Sequence, residues 1–368
     1  MNLELSEEQR TMRDTVRDYV TRFVDVRNHA RALVDDPLGT TDEVWRGLTG
    51  LGTTGLLIPE AQGGSSLSMI EAGLVLEELG AKLYSGPWSS TAVASVRLLT
   101  RAGVDAPELY GSIADGSLVL TTAVDSTGIS APRAPEMVLA GTLDGVADVA
   151  AADLILVIAH VLGQPRLCAV RTSDERVSFE PLPSIDLTRR RFRVSLAGAR
   201  ARDLGPVDRE CIDAVTDDLL VIAAAEALGA ARALLDLAVS HAKVRKQFGK
   251  PIGAFQAVQH LCADMYEAVE LMRSSVIHAL WSADNTSPAE YHLAAVRLKA
   301  MSGQLTMVGD NAVQVLGGIG YTWEHDAHLY LRRLLDWSRF RGEPSGYLQE
   351  VARWLIASNV RRSVDAVS

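Results

Sequence analysis

The residues able to do chemistry in this chain of 368 residues are few and clustered. In Val244-Arg-Lys-Gln-Phe-Gly-Lys-Pro-Ile-Gly-Ala-Phe-Gln256, Arg245, Lys246 and Lys250 gather around a Gly/Pro turn with Phe248 and Phe255 beside them. A guanidinium for phosphate, a ring for a base and an amide for hydrogen bonds suit a pyrophosphate-linked nucleotide. A solvated charge run at a helix end, with its cations complementing the dipole, accounts for the same residues. Leu316-Gly-Gly-Ile-Gly-Tyr321 is glycine-rich, either because the backbone must turn or because a phosphate or flavin comes close. Glu226 is the only charge between Leu219 and Ala231. A carboxylate in such a run is costly unless paired, and burial would raise its pKa towards that of a useful base. A hydrogen bond or an arginine partner is its structural alternative. No GxGxxG follows a strand, no GxSxG, HExxH or P-loop is present, and the histidines show no ligand spacing.

These residues need elements to position them, and the hydrophobic periodicity divides the chain into three zones. Residues 1–113 read as an N-terminal helical domain. Ser6 with Gln9 forms a capping-box start, after which Met12, Val16, Tyr19 and Phe23 line one face. Trp45, Leu48 and Leu51 make a second stripe. Ser68 with Glu71 starts a third helix, whose Ile70, Leu74 and Leu79 face inward with Glu77 and Glu78 expected to face out. Ile58–Gly64 reads as a loop. Residues 114–207 read as a small antiparallel β domain, a sheet or barrel. Its strands are expected at Leu118–Val124, Met137–Ala140, Leu154–Ala159, Arg166–Arg171 and Arg191–Leu196, with turns at Asp125–Pro135 and Pro181–Ser184. Residues 208–368 read as a C-terminal helical bundle, where Leu261, Met265, Val269, Met272, Val276 and Leu280 form a core seam. The fold class is therefore α+β, mainly α.

A net charge of −10 disfavours phosphate backbones and hence a nucleic-acid role. Cys168, Cys211 and Cys262 are sparse and lack metal-ligand spacing, which fits a reducing cytoplasm and no metal. No apolar signal core opens the chain, and the Leu219–Ala231 run is too short to span a bilayer. The expectation is a cytoplasmic protein without membrane insertion.

Arg245-Lys-Gln-Phe-Gly-Lys-Pro-Ile, with Phe255-Gln256 and Ala263-Asp-Met265, resembles the signature of the acyl-CoA dehydrogenase family. Gln314-Val-Leu-Gly-Gly-Ile-Gly-Tyr321 is similar to that family's second signature. Ile58–Gly64 with Leu76-Glu-Glu-Leu-Gly80 resembles its N-terminal helical domain, and Asp186-Leu-Thr-Arg-Arg190 its strand entry before the last helices. The resemblance covers nearly the whole chain in the family's order. It implies a fold that oxidises the Cα–Cβ bond of an acyl-CoA thioester. A glutamate takes the α-proton, flavin N5 takes the β-hydride, and an electron acceptor reoxidises the flavin. By the same resemblance, Arg245, Phe248 and Gln256 reach across a subunit interface to the neighbour's FAD, and Gln314, Gly317 and Gly318 approach its ADP part.

The chain departs from the family where its own flavin and its base should lie. The T-E-P…G-S-D loop is represented by Thr122-Ala-Val-Asp-Ser-Thr-Gly128, and the aromatic strand by Val146–Ala151, which has no aromatic. The usual catalytic glutamate falls on Arg341, and the alternative position on Leu219. A guanidinium cannot serve as a proton acceptor. Glu226, Glu343, two residues past the usual slot, and Asp218, beside Leu219, are the candidate substitutes. Asp217 and Asp218 also read as a helix N-terminus favoured by its dipole. The pattern implies a subunit lending Arg245, Phe248 and Gln314 to an FAD seated on a homologous catalytic partner. The resemblance is to actinobacterial α2β2 enzymes acting on CoA thioesters of steroid side chains. A self-sufficient homo-oligomer with a displaced base and a non-enzymatic stabilising or regulatory subunit are the alternatives.

Overall fold

A computed structural model describes residues 4–124, 129–131, 137–161 and 163–365. The N-terminal helices begin where local caps dictate. α1 (Glu7–Phe23) and α3 (Met69–Ala81) both open on reciprocal capping boxes, at Ser6/Gln9 and Ser68/Glu71, with α2 (Asp42–Gly50) between them. A π-helical stretch leads into α4 (Val96–Arg101), and α5 (Pro107–Ala114) follows with proline in its first turn.

The strands β1 (Leu120–Ala123), β2 (Ser130–Ala131), β3 (Val138–Ala147), β4 (Leu154–Val161), β5 (Gln164–Arg171), β6 (Val177–Pro181) and β7 (Arg191–Pro206) form one sheet. β4 pairs with β5, β5 with β7, β7 with β3, β3 with β2 and β2 again with β4, so the sheet closes on itself. Its interior is apolar, built on Leu139, Val157, Val170, Phe192 and Val194. The sheet is not purely antiparallel: β1 and β2 both run parallel to β4. Such pairs need long crossovers, which period-two alternation within single strands does not reveal. β6, which pairs with β7 from Val177↔Leu196 to Pro181↔Phe192, is a further strand beyond those expected. β2 falls within the expected turn Asp125–Pro135, whose residues 125–128 and 132–135 lie outside the described residues, as does most of the segment compared with the T-E-P loop.

The C-terminal part is α6 (Arg209–Val244), a tight hairpin of β8 (Lys246–Gln247) and β9 (Lys250–Pro251), and then α7 (Gln256–Asn285), α8 (Pro288–Ala300), α9 (Ser302–Leu316), α10 (Ala327–Arg339) and α11 (Pro344–Asp365). α6 starts on the Asp208 cap, so Asp217 and Asp218 lie in the body of the helix and not at an N-terminus. Met265, Val269, Met272, Val276 and Leu280 are buried along α7, as the core seam requires. Their cluster is continuous with Val16, Val20, Met69, Val75 and Leu79, so the first and last helices share one core. α6 is the axis of that core, and it crosses α3 at backbone contact. A Cβ on Gly80 would lie 2.1 Å from the Glu226 carbonyl oxygen, and one on Gly229 would lie 1.9 Å from that of Glu77. Only glycine permits this approach, and it sets the position of Glu226.

The same crossing reverses one expectation. Glu77 and Glu78 do not face solvent; they are 9% and 2% exposed. Glu78 pairs with Arg17 at 2.8 Å and Arg232 at 3.0 Å, and Glu77 with Arg232 at 3.0 Å and Arg273 at 2.8 Å. The helix is covered on every side, so its carboxylates must be paired inside the protein.

Candidate functional site

A cavity of about 140 Å³ opens where the barrel meets α6 and α10. Leu219, Ile222 and Glu226 reach it from α6, Arg333, Asp336 and Trp337 from α10, and Arg341 from the turn beyond. The spacing of Leu219 and Glu226 puts them on one helix face, and burial against the barrel makes that face a wall. Arg341 occupies a left-handed turn at φ 57° before Gly342, which aims it back at the cavity. The structure thus brings Leu219, Arg341 and Glu226 together.

The other candidates lie elsewhere. Asp218 is fully buried away from the cavity, where its oxygens accept from Arg101 at 2.6 and 3.0 Å, from Arg97 at 3.3 Å and from the Tyr291 hydroxyl at 2.7 Å. Burial alone would raise its pKa, but Arg97 and Arg101 reverse that and hold it below the usual carboxylate value. A carboxylate so fully paired is a structural tie between α6, α4 and α8. Glu343 is exposed just before α11 and does not line the cavity.

Glu226 itself is 3% exposed and paired with Arg189. Burial, then repulsion from Arg333, pushes Arg189 down to about 9, which still leaves it charged at neutral pH. Arg191 forms a bidentate pair with Asp336 at 2.9 and 2.7 Å. Arg333 holds Asp186 and donates to the Thr188 hydroxyl at 2.5 Å. Two of these bridges cross between the start of β7 and the helices, and they occupy the carboxylates that line the helical wall.

Arg189, Asp148, Asp336, Arg333 and Trp337 were not recognisable as site residues from local spacing. The run Arg189-Arg190-Arg191 in an acidic chain is the signal nearest to hand. Asp148 lines the barrel side at φ 53° and accepts a hydrogen bond from Ser90. Burial pushes its carboxyl up to about 6, against the pull of Ser90 and Arg189. The segment Val146–Ala151 presents Val146 and Ala147 to the cavity and no ring.

The second group of predicted residues is on the surface. Phe248 is 91% exposed at the tip of the β8–β9 hairpin. It has φ 52° and Gly249 φ 80°, the left-handed pair of a two-residue hairpin turn. For a bulky residue this backbone is strained, and strain persists where the surrounding structure or a function holds it. Lys250 lies 4.3 Å from the Phe255 ring centroid, so the hairpin is braced from beneath. Arg245, Gln256, Gln314, Gly317 and Gly318 are all exposed. Gly317 ends α9 at φ 65°, ψ −145°, a conformation reserved for glycine. His241, at the end of α6, is lowered by burial first and then by His325 and Arg245. The Arg245 hairpin and the loop after Gly317–Tyr321 therefore border one region. Arg31 fixes that loop, donating to Asp326 and the Trp323 carbonyl at 2.5 Å each and to the His325 carbonyl at 2.8 Å.

Two family models match: "Acyl-CoA dehydrogenase, N-terminal domain" over residues 6–112, and "Acyl-CoA dehydrogenase, C-terminal domain" over residues 221–358. Acyl-CoA dehydrogenase FadE34 of Mycobacterium tuberculosis is 33% identical over 97% of this chain, which spans 49% of that protein's length. Acyl-CoA dehydrogenase IpdE2 of the same organism is 33% identical over 89% of this chain and 91% of its own. Among solved structures, the Tcur3481-Tcur3483 steroid ACAD matches with a TM-score of 0.86 and 28% identity, covering 96% of this chain and 99% of that one. The fold, the order of its elements and these relationships agree: the chain belongs to the acyl-CoA dehydrogenase family.

Proposed function

We propose that this chain is the subunit without a catalytic base in a heteromeric, FAD-dependent acyl-CoA dehydrogenase. It completes the FAD site of a homologous catalytic subunit, in an α2β2 assembly acting in the cytoplasm on acyl-CoA thioesters. Arg245, Phe248, Gln256, Gln314, Gly317 and Gly318 are the residues assigned to the shared FAD, which when bound takes hydride from the acyl β-carbon. The observation carrying this reading is a contrast between two regions of the chain. The cation–aromatic hairpin projects from its own subunit, with Phe248 91% exposed. The cavity between the barrel, α6 and α10 is small, at about 140 Å³. Its lining carboxylates Glu226 and Asp336 are bridged to Arg189 and Arg191.

The base positions support the same reading. Leu219 has no titratable group, Arg341 cannot accept a proton, and Glu226 is held by Arg189. The steroid part rests on the name of the 28%-identical steroid ACAD, which joins two proteins. An acyl-CoA with a bulky polycyclic tail is the substrate class proposed. The electron acceptor is a separate redox partner.

The test is the visible absorption spectrum of this chain purified alone and then with its partner. The expected result is a colourless chain, and about one FAD per heterodimer in the complex. Arg245→Ala should strip FAD from that complex. Stoichiometric FAD on the chain alone would overturn the proposal, and loss of turnover in Glu226→Gln would then identify a displaced base. Full activity of an Arg245→Ala complex would leave only a stabilising or regulatory role.

A further inference from the structure

The loop between α9 and α10 carries Gly317 and Gly318, two of the residues assigned to the shared FAD, yet it buries little of itself. Of residues 317–324 only Gly320 is buried, and Tyr321 and Trp323 are 71% and 59% exposed. A segment with so few apolar contacts opens easily unless something else ties it down. The bonds it makes within itself are short-range, from the Thr322 amide and hydroxyl to the Ile319 carbonyl and from the His325 amide to the Thr322 carbonyl. They shape the turns without fixing where the loop stands. Arg31, in the N-terminal helical part, does that. Its Nε donates to Asp326, its Nη1 to the Trp323 carbonyl and its Nη2 to the His325 carbonyl at 2.8 Å. The guanidinium carbon also lies 5.8 Å from the Trp323 ring centroid, and the same ring meets His328 edge to face at 4.6 Å. A planar fork holds a carboxylate and two carbonyls at fixed angles, which a single ammonium does not. Arg31 is itself held by its backbone. It closes a π-helical turn over Val26–Ala30, donating its amide to the Val26 carbonyl at 2.9 Å, while Asp25 caps the turn through the Asn28 amide at 2.8 Å. Val26, His29 and Ala30 are buried beneath, with His29 stacked on Tyr84 at 5.8 Å. Such turns are rare and concentrate at functional sites.

We propose that Arg31 is a positioning residue for the shared FAD: it holds the loop so that Gly317 and Gly318 stand ready for the ADP part of the cofactor. This rests on the shared-FAD reading of those glycines and deepens it. Arg31 acts through the main chain of residues 323–326. Without it the loop would have to be ordered at the moment the cofactor binds, and that ordering would be subtracted from FAD affinity. The anchor lies in a part of the chain 295 residues away from Asp326, so the order of the cofactor loop depends on the N-terminal helices being docked.

Two measurements test it. Hydrogen exchange on the full-length chain alone should show peptides covering residues 317–327 exchanging at least about tenfold faster in Arg31→Ala than in the wild type, with α7 unchanged. Arg31→Lys keeps a charge for Asp326 and loses the fork, so it should fall between the two. In the complex with the catalytic subunit, FAD affinity should drop at least about tenfold in Arg31→Ala and recover partly in Arg31→Lys, while the two subunits still co-elute. Unchanged exchange in the loop, or faster exchange throughout the chain, would overturn the proposal, the second because Arg31 would then support the whole fold. FAD kept by the Arg31→Ala complex but lost by the Arg245→Ala complex would overturn it as well, and would leave the shared-FAD reading standing. FAD kept by both complexes would overturn that reading and this proposal with it.

Discussion

α11 is held to the bundle by a charge relay that should open at alkaline pH. His292 on α8 bonds Asp217 on α6 through Nδ1 at 3.0 Å and Glu350 on α11 through Nε2 at 2.9 Å. The bond to Asp217 leads in raising the imidazole to about 9 from 6.5, with Glu350 adding and burial opposing. Asp217 is itself pushed up by burial, and the bond and charge of His292 pull it back down. A cation stabilised in the fold contributes fully below the unfolded pKa, about 6.5, and its contribution is lost as pH rises through about 9. Two and a half pKa units at about 1.4 kcal/mol each give a ceiling of roughly 3.5 kcal/mol. His292 is about half exposed, so screening and water competition reduce this to about 1 kcal/mol. Lys299 has the opposite sign, since burial lowers it to about 8 and rising pH relieves that penalty. The wild-type pH profile alone is therefore ambiguous, and the difference from His292→Gln is the quantity to measure. Urea unfolding followed by tryptophan fluorescence, to which Trp354 on α11 contributes, should show a deficit of about 1 kcal/mol at pH 7 that closes by pH 10. A deficit that is constant or grows with pH would refute the relay.

Asp148→Asn should stabilise the protein at pH 8 by up to roughly 3 kcal/mol, the cost of about two pKa units. Its raised carboxyl favours folding below about 3.8, and that advantage disappears as pH rises through about 6. Chemical denaturation should therefore show the gain shrinking towards pH 5. Glu78→Ala leaves Arg17 and Arg232 without their shared carboxylate and should cost about 2–3 kcal/mol in urea unfolding, less than a fully buried pair because Arg17 is 38% exposed. Gly229→Ala drives a Cβ into the Glu77 carbonyl and should cost about 3 kcal/mol or more, visible as low soluble yield or an early thermal transition.

Helix starts at Ser6 and Ser68, the core seam along α7 and most strands were legible because each depends on residues a few positions apart. The Arg245–Ile252 and Gln314–Tyr321 motifs were legible for a related reason. Local backbone geometry at Phe248, Gly249 and Gly317 demands particular residue types in sequence order. Partnership across the chain was not legible. Glu77 and Glu78 looked like a solvated pair, but α6 and α7 bring Arg232 and Arg273 over them. Asp218 and Glu226 were both candidate bases, being carboxylates on one helix. Their angular separation sends one to Arg97 and Arg101 and the other to the cavity beside Arg189.

The sequence by itself thus determined the family, the order of helical and β segments, and the absence of glutamate at Arg341 and Leu219. These are properties of residue identity and short spacing. Tertiary structure alone decided which charges neutralise one another, that Asp148 would be raised, and that Leu219, Glu226 and Arg341 would line one cavity. Electrostatic pairing and burial depend on distances between elements more than a hundred residues apart, as in Arg333 with Asp186, and no local pattern encodes them.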